Sequence, residues 1–221
     1  MHALIIGASR GIGLEFVRQY RAAGWQVAAT ARGEAALLAL ADLGAQPLAL
    51  DVAQAESVSR LAWQIDGLAF DVAVLCAGIY GPRSAGLEPP TEADFDAVMH
   101  TNVLGAMRVL PSLEDALAPG ARLAVVSSRM GSMGQRTSPS GWLYRASKAA
   151  LNSVLKDASL AFGGRAVCLA LHPGWVRTDM GGDGADIDAA TSVAGMRKVL
   201  AHAKPEDNGG FFNFDGQALA W

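Results

Sequence analysis

Leu4-Ile5-Ile6-Gly7-Ala8-Ser9-Arg10-Gly11-Ile12-Gly13 decides the fold, because an apolar strand runs into three glycines and then into a helix-length amphipathic segment. A glycine-rich turn between strand and helix is the setting of a dinucleotide-binding loop. Gly7 permits the tight turn, Gly11 lets backbone approach a pyrophosphate, and Gly13 allows close packing of the helix. Ser9, Arg10 and Ile12 fill the loop, and the helix N-terminus supplies amide donors and positive potential. The spacing is Gly-x3-Gly-x-Gly, not the commoner Gly-x-Gly-x2-Gly.

Outward from this turn, short apolar runs alternate with amphipathic stretches. The pattern predicts strands near 3–6, 26–30, 46–50, 71–75, 121–127, 166–171 and 210–213. Helices are predicted near 12–23, 34–43, 54–65, 94–117, 144–162 and 190–202. Val72-Ala73-Val74-Leu75 and Leu123-Ala124-Val125-Val126 are apolar on both faces, as central parallel strands covered by helices must be. The expected fold is α/β: one Rossmann-type, doubly wound parallel sheet of about seven strands with helices on both faces. With 221 residues, 51% of them hydrophobic, and no Pro/Gly/Ser-rich linker, the chain is expected to form one domain over 1–221.

A net charge of −3 without a basic run gives no electrostatic footprint for nucleic acid. No apolar run approaches the roughly 18 residues of a membrane span, and Met-His-Ala-Leu-Ile-Ile-Gly has no charged export region. Cys76 and Cys168 are isolated in apolar runs, which suits reduced thiols in a cytoplasmic protein. His172 has no second ligand-spaced His or Cys, so no metal site is expected.

Tyr144-Arg145-Ala146-Ser147-Lys148 places a phenol and an ammonium one turn apart. At about 100° per residue, Tyr144, Lys148, Leu151, Leu155 and Phe162 share one narrow arc, so both polar groups follow the apolar stripe. An ammonium roughly 4 to 5 Å from a phenolate, at an effective dielectric of about 20, is worth at most about 3 to 4 kcal/mol. That corresponds to two or three pKa units off a phenol's usual value of about 10. The expectation is a tyrosine able to move a proton near neutral pH.

In order along the chain stand the glycine loop, Leu50-Asp51-Val52, Ala77-Gly78, Thr101-Asn102-Val103, Val126-Ser127-Ser128, Tyr144/Lys148 and Pro173-Gly174-Trp175-Val176-Arg177-Thr178. Together they make the sequence resemble the short-chain dehydrogenase/reductases almost end to end. Ser127-Ser128-Arg129-Met130-Gly131-Ser132 and Phe211-Phe212-Asn213-Phe214-Asp215-Gly216 are also similar to the C-factor-like subgroup.

The resemblance implies that Tyr144 is the general acid in carbonyl reduction and the base in the reverse direction. Lys148 would lower its pKa and hold the nicotinamide ribose, and Ser128 would orient the carbonyl. Asn102 would hold a proton-relaying water at the exposed backbone of its helix. Asp51 would accept from the adenine amino group with Val52 beside it, as well as being suited to cap the next helix. Ala77 and Gly78 belong to the same cofactor wall. Pro173, Gly174, Val176 and Thr178 would wrap the nicotinamide.

Two departures stand out. Sixteen positions separate Ser128 from Tyr144, about three more than the family's usual spacing, so a longer loop is expected over the pocket; by count alone, Gly131 would take the serine's place. Leu75-Cys76 replaces two asparagines that brace the family's sheet, and Cys76 reads as a small buried hydrophobe.

Tyr80, Met130, Met133, Trp142, Trp175 and Met180 fall on loops expected at the carboxyl edge of the sheet, an apolar and adaptable pocket for a small carbonyl or alcohol substrate. The acidic, glycine-rich segment 179–186 reads as a lid. Ala146, Ala149, Ala150, Ser153, Asp157 and Leu160 form the arc opposite the Tyr144 stripe. With the family's habit of pairing helices, this arc suggests a homodimer, or a tetramer, built on 94–117 and 144–162. Two functions are compatible with these features: a carbonyl-reducing oxidoreductase, and a cofactor-binding signalling or regulatory protein of the C-factor type. Keeping Asn102, Ser128, Tyr144 and Lys148 together favours the first.

An NAD site places Asp or Glu after the second strand to hold the ribose hydroxyls, whereas arginine accommodates a 2′-phosphate. Here Val27-Ala28-Ala29-Thr30 runs into Ala31-Arg32-Gly33 with no carboxylate before Glu34, and Arg10 adds a second guanidinium on the same rim. Charge-assisted hydrogen bonds of about 1.5 to 3 kcal/mol each would favour NADP(H) over NAD(H) by roughly 10² to 10⁴. Replacing Ala31 by Asp and Arg32 by Ile is expected to shift preference toward NADH. Equal or better catalytic efficiency with NADH in the unaltered protein would overturn this reading of Arg10 and Arg32.

Overall fold

The computed structural model describes residues 1–221. Seven strands, β1 (His2–Ile6), β2 (Gln26–Ala31), β3 (Gln46–Ala49), β4 (Phe70–Leu75), β5 (Leu117–Val126), β6 (Ala166–His172) and β7 (Gly210–Asn213), make one sheet in the order β3-β2-β1-β4-β5-β6-β7. Every ladder is parallel. The winding reverses between β1 and β4, and at such a switch point the loops leaving neighbouring strands diverge and open a crevice at the carboxyl edge.

Seven α-helices cover the sheet: α1 (Gly11–Ala22), α2 (Glu34–Asp42), α3 (Ala55–Ile65), α4 (Glu92–Met99), α5 (Gly105–Leu113), α6 (Trp142–Ala161) and α7 (Ala189–His202). Alternation along each strand feeds two cores. Leu4 and Ile6 of β1, with Leu123 and Val125 of β5, pack in the layer that holds Leu151 and Leu155 of α6. Ala3 and Ile5 face the other way, with Phe16 and Val17 of α1 and Val193 and Met196 of α7. Strands apolar on both sides therefore have helices on both sides, as expected.

The predicted helix 94–117 is two helices. Thr91 starts it early, its hydroxyl accepting from Asp94 N at 3.1 Å, and a π-turn at His100–Leu104 splits α4 from α5. The chain leaves α5 after Leu113 and enters β5 at Leu117, four residues sooner than predicted. Leu117 pairs with Phe70 and then the register shifts, so that Val72 pairs with Arg122. The Pro119-Gly120 pair falls in that irregularity and hides the strand from a periodicity reading. At the other end, α6 begins at Trp142 behind Gly141, whose φ of +67° is a left-handed conformation that glycine adopts without strain. Trp142 is thus a helix residue and not part of a loop.

After β5, a short 3₁₀ turn at Arg129–Gly131 packs on α6. A Cβ on Gly131 would lie 2.8 Å from the Lys148 carbonyl carbon and 2.9 Å from its oxygen, so only glycine lets turn and helix approach this closely. Gly131→Ala is expected to cost roughly 1 to 3 kcal/mol in urea denaturation, as overpacking against backbone does. Gly86→Ala, with open space around its Cβ, is expected to stay near neutral. Equal stability of the two variants would show that the approach is not tight.

Candidate active site

The glycine loop takes its shape from contacts that no side chain could replace. A Cβ on Gly13 would lie 2.1 Å from the Gly7 carbonyl oxygen, and one on Gly7 would lie 2.7 Å from Ala77 N. The turn is pinned from below by Thr30, which accepts from Gly7 N at 3.0 Å through its hydroxyl and from Ala8 N at 2.8 Å through its carbonyl. Above it opens a cleft of about 420 Å³.

Of the predicted cofactor residues, Gly7, Ser9, Arg10, Gly11, Ile12, Gly13, Arg32, Asp51, Val52, Ala77, Gly78 and Thr178 all line this cleft. Asp51 does not cap α3, because Gln54 holds that position. Its Oδ1 accepts instead from Ala53 N at 3.0 Å, while its own N–H donates to the Ser57 hydroxyl at 2.9 Å. Arg10 donates through Nη1 to Asp179 Oδ2 at 2.7 Å. Pro173, Gly174 and Val176 are not among the cleft-lining residues, nor are Tyr144 and Lys148. Pro173 accepts from Ser192 Oγ, Gly174 turns with φ of +86°, and buried Val176 bridges to Ile187, closing the foot of the loop that carries Thr178.

Cleft and catalytic candidates meet at Gly78. A Cβ there would lie 3.2 Å from Asn102 Oδ1 and 3.4 Å from Lys148 Nζ, so this cleft-lining glycine lies directly against both polar groups, neither of which lines the cleft itself. Lys148, 4% exposed, donates from Nζ to the Val126 carbonyl at 2.8 Å. Burial lowers its pKa to about 8, opposed by Cys76.

The Asn102 side chain is fully used. Oδ1 accepts from Ile79 N at 2.8 Å, and Nδ2 donates to Ile79 O at 2.8 Å and to Ser147 Oγ at 2.9 Å. Ser147 in turn donates to the Tyr144 carbonyl at 2.8 Å. Its amide is therefore a bracket between the chain leaving β4 and the first turns of α6. It also supplies the bracing that Leu75-Cys76 left in doubt, together with the bond from Cys76 N to Ile6 O. Cys76, expected to be buried, is half-buried and lines the cleft, while desolvation pushes its thiol up to about 12, which disfavours the reactive thiolate.

Ser128 ends the β5 exit and its Oγ accepts from Met130 N at 3.1 Å. Its hydroxyl is also near enough to the Tyr144 phenol to hold that tyrosine's pKa down in part. Gly131 lies instead against the α6 backbone, so the serine and not the glycine reaches the phenol. Ser127 points elsewhere, donating to Asn152 Oδ1. The expected depression of Tyr144 by Lys148 is not found. Burial dominates and raises the phenol, with Ser128 opposing and Tyr80 adding to the rise. The ammonium lies 5.7 Å from the Tyr144 ring centroid, is committed to Val126 O, and is itself discouraged from carrying charge. The phenol is accordingly protonated at neutral pH.

The aromatic candidates do not form one pocket. Tyr80 stacks on Tyr144 with centroids 4.5 Å apart, Met130 reaches Gly141 beside it, and Arg83 lies 5.3 Å over the Tyr80 ring. Met180 lines the cleft, and its carbonyl accepts from Arg83. Trp142 Nε1 is drawn to Glu88 O and Trp175 Nε1 to Gly181 O, while Met133 is 70% exposed. His172, beneath the Pro173 turn, is buried and lowered to about 4, with Nδ1 unpartnered. No three His, Cys, Asp or Glu side chains converge as a metal site needs. No helix is long and apolar enough to cross a membrane. Thr30, Ser147 and Asp179 were not singled out from sequence; Thr30 and Ser147 adjoin the motifs, but nothing local marks Asp179 as Arg10's partner.

A family model described as Enoyl-(Acyl carrier protein) reductase matches residues 7–214. The chain is 40% identical to the C-signal of Myxococcus xanthus over 154 residues, 68% of this chain and 92% of that protein. It is 33% identical over 229 residues to the 1-hydroxy-2-glutathionyl-2-methyl-3-butene dehydrogenase of Rhodococcus sp. (strain AD45), covering 99% and 98% of the two. A carbonyl reductase from Pseudomonas aeruginosa PAO1 in complex with NADP superposes with a TM-score of 0.86 at 33% identity, covering 100% and 99% of the chains. From the matched glycine loop to the parallel sheet, the chain belongs to the short-chain dehydrogenase/reductase family of oxidoreductases.

Proposed function

We propose that this protein is an NADPH-dependent reductase of a small, apolar ketone or aldehyde, acting as one catalytic domain in the cytoplasm. The observation that carries the reading is the buried, protonated Tyr144 phenol beside Ser128, with Lys148 and Asn102 behind it at Gly78. A phenol raised by burial holds its proton until negative charge develops on a nearby oxygen, which suits it to act as an acid in reduction.

The cleft fits a dinucleotide: side-chain-free backbone at Gly7, Gly11, Gly13 and Gly78, a helix N-terminus, and Arg10 and Arg32 on the rim. NADPH, when bound, supplies a hydride to the carbonyl carbon. Ser128 orients the carbonyl oxygen, and Tyr144 Oη gives that oxygen its proton as the C–O π pair moves onto it. Lys148, still mainly protonated at neutral pH with its pKa lowered to about 8, gives up a proton readily and helps return one to the phenol. Asn102 holds the Tyr144 end of α6 through Ser147, and the π-turn around it opens the helix backbone where a relayed water would sit. NADP is preferred over NAD because the β2 exit offers Arg32 and no carboxylate, and the NADP-bound carbonyl reductase above supports the same choice.

The C-signal similarity keeps a second reading in view, a cofactor-binding signalling protein with little turnover. NADPH oxidation followed optically over a carbonyl panel separates the two. On any substrate reduced, Tyr144→Phe is expected to keep NADPH affinity within a few-fold and lower turnover by about 10² or more. Turnover near wild type in that variant would sink the assignment of Tyr144.

The protein is also proposed to be a homodimer through α4, α5 and α6, with a tetramer as the alternative. Ala146, Ser153, Asp157 and Leu160 are exposed on α6, as are Phe95 on α4 and Met107 on α5, a small-residue and apolar surface suited to close helix contact. Light scattering at micromolar concentration is expected to give at least twice the chain mass, and a monomeric mass would refute it.

A further inference from the structure

The loop from Val176 to Ile187 is closed on itself. Arg177 N donates to Ile187 O, Gly182 N to Thr178 O, and Trp175 Nε1 to Gly181 O. Its Thr178 adjoins the glycine loop, with Cγ2 3.4 Å from a Cβ position on Gly11. The next residue, Asp179, holds Arg10 at 2.7 Å, with both side chains 72% exposed and both residues lining the cleft. Arg32, on the same rim, makes no side-chain hydrogen bond or ion pair within the protein. Of the two guanidiniums read above as receptors for a 2′-phosphate, one is therefore free and the other already holds a carboxylate.

We propose that Asp179 is a cofactor-selectivity residue that competes with the 2′-phosphate of NADPH for Arg10. The proposal rests on the reading of Arg10 as a phosphate ligand. A carboxylate and a phosphate placed on one guanidinium repel each other, so NADPH entry works against the Arg10–Asp179 pair. NADH, without that phosphate, leaves the pair intact. Asp179 thus lowers the discrimination that Arg10 and Arg32 alone would give. It also links the dinucleotide to the loop beside the substrate: once Arg10 turns to the phosphate, the Asp179-Met180 edge is tied to the rest of the protein through the bond from Arg83 to Met180 O. An exposed pair is weak and screened by salt, so the effect is one of tuning.

Dissociation constants for NADPH and NADH, read by quenching of tryptophan fluorescence, test this in the wild type, Asp179→Asn, Arg10→Met and the double variant. Asp179→Asn is expected to tighten NADPH by roughly two- to fivefold, the range an exposed ion pair supports, and to leave NADH unchanged. The gain is expected to vanish in the Arg10→Met background and to shrink at high salt. No tightening, weaker NADPH binding, or the same gain without Arg10 would each overturn the proposal. If Arg10→Met alone leaves NADPH affinity at the wild-type value, the phosphate-ligand reading fails and this inference falls with it. If Arg10→Met weakens NADPH while Asp179→Asn does not tighten it, the competition alone is refuted.

Discussion

A single ammonium held out of water organises the carboxyl edge of the sheet. Lys148 is buried with one protein acceptor, the Val126 carbonyl, and its pKa falls to about 8. Burying such a group costs several kcal/mol. The offset comes from the same helix stripe: Leu151, Leu155 and Phe162 are buried in the core below the sheet, at about 1.5 to 3 kcal/mol each. Three such side chains outweigh one poorly solvated ammonium, so the stripe carries Tyr144 and Lys148 inward together. The bond to Val126 then ties α6 to the end of β5, where Ser128 emerges.

Around that tie most polar groups are matched within the protein, although the buried Asn152 Nδ2 and His172 Nδ1 have no partner. Asn102 pairs both of its amide atoms with the Ile79 peptide and reaches Ser147, which closes on the Tyr144 carbonyl. Ser127 reaches Asn152 one helical turn beyond Lys148. Strand exit, π-turn and helix are thus joined at three heights, which fixes the phenol relative to Ser128 without a metal or a disulfide. Buried networks of this kind favour one arrangement because an unmatched member would cost about 1 to 3 kcal/mol.

Two relatives of this chain carry different names, one a dehydrogenase and the other the C-signal. What favours chemistry in this chain is geometric. Asn102 and Lys148, far apart in sequence, converge at Gly78, and a protein that only bound a dinucleotide would need the glycine loop and the β2 exit but not a protonated phenol stacked under Tyr80.

The alternation of strands and helices, the glycine loop and the Tyr144/Lys148 stripe were legible in the sequence, because backbone freedom at glycine and a hydrophobic period are local properties that the chain carries wherever it folds. Ser128 was legible through its motif, although counting positions left Gly131 as a rival until the packing against α6 separated them. The break in the predicted helix 94–117 was not legible: a π-turn keeps helical composition and is decided by where Asn102 must reach. Nor was the early start of β5, since Pro119-Gly120 hides a strand that only its partner β4 can hold. The expected lowering of the Tyr144 pKa by Lys148 was not met, because spacing fixes how near an ammonium can come but not how much water the fold removes. Ion pairs such as Arg10 with Asp179 join residues from opposite ends of the chain, and only the tertiary structure brings them within reach.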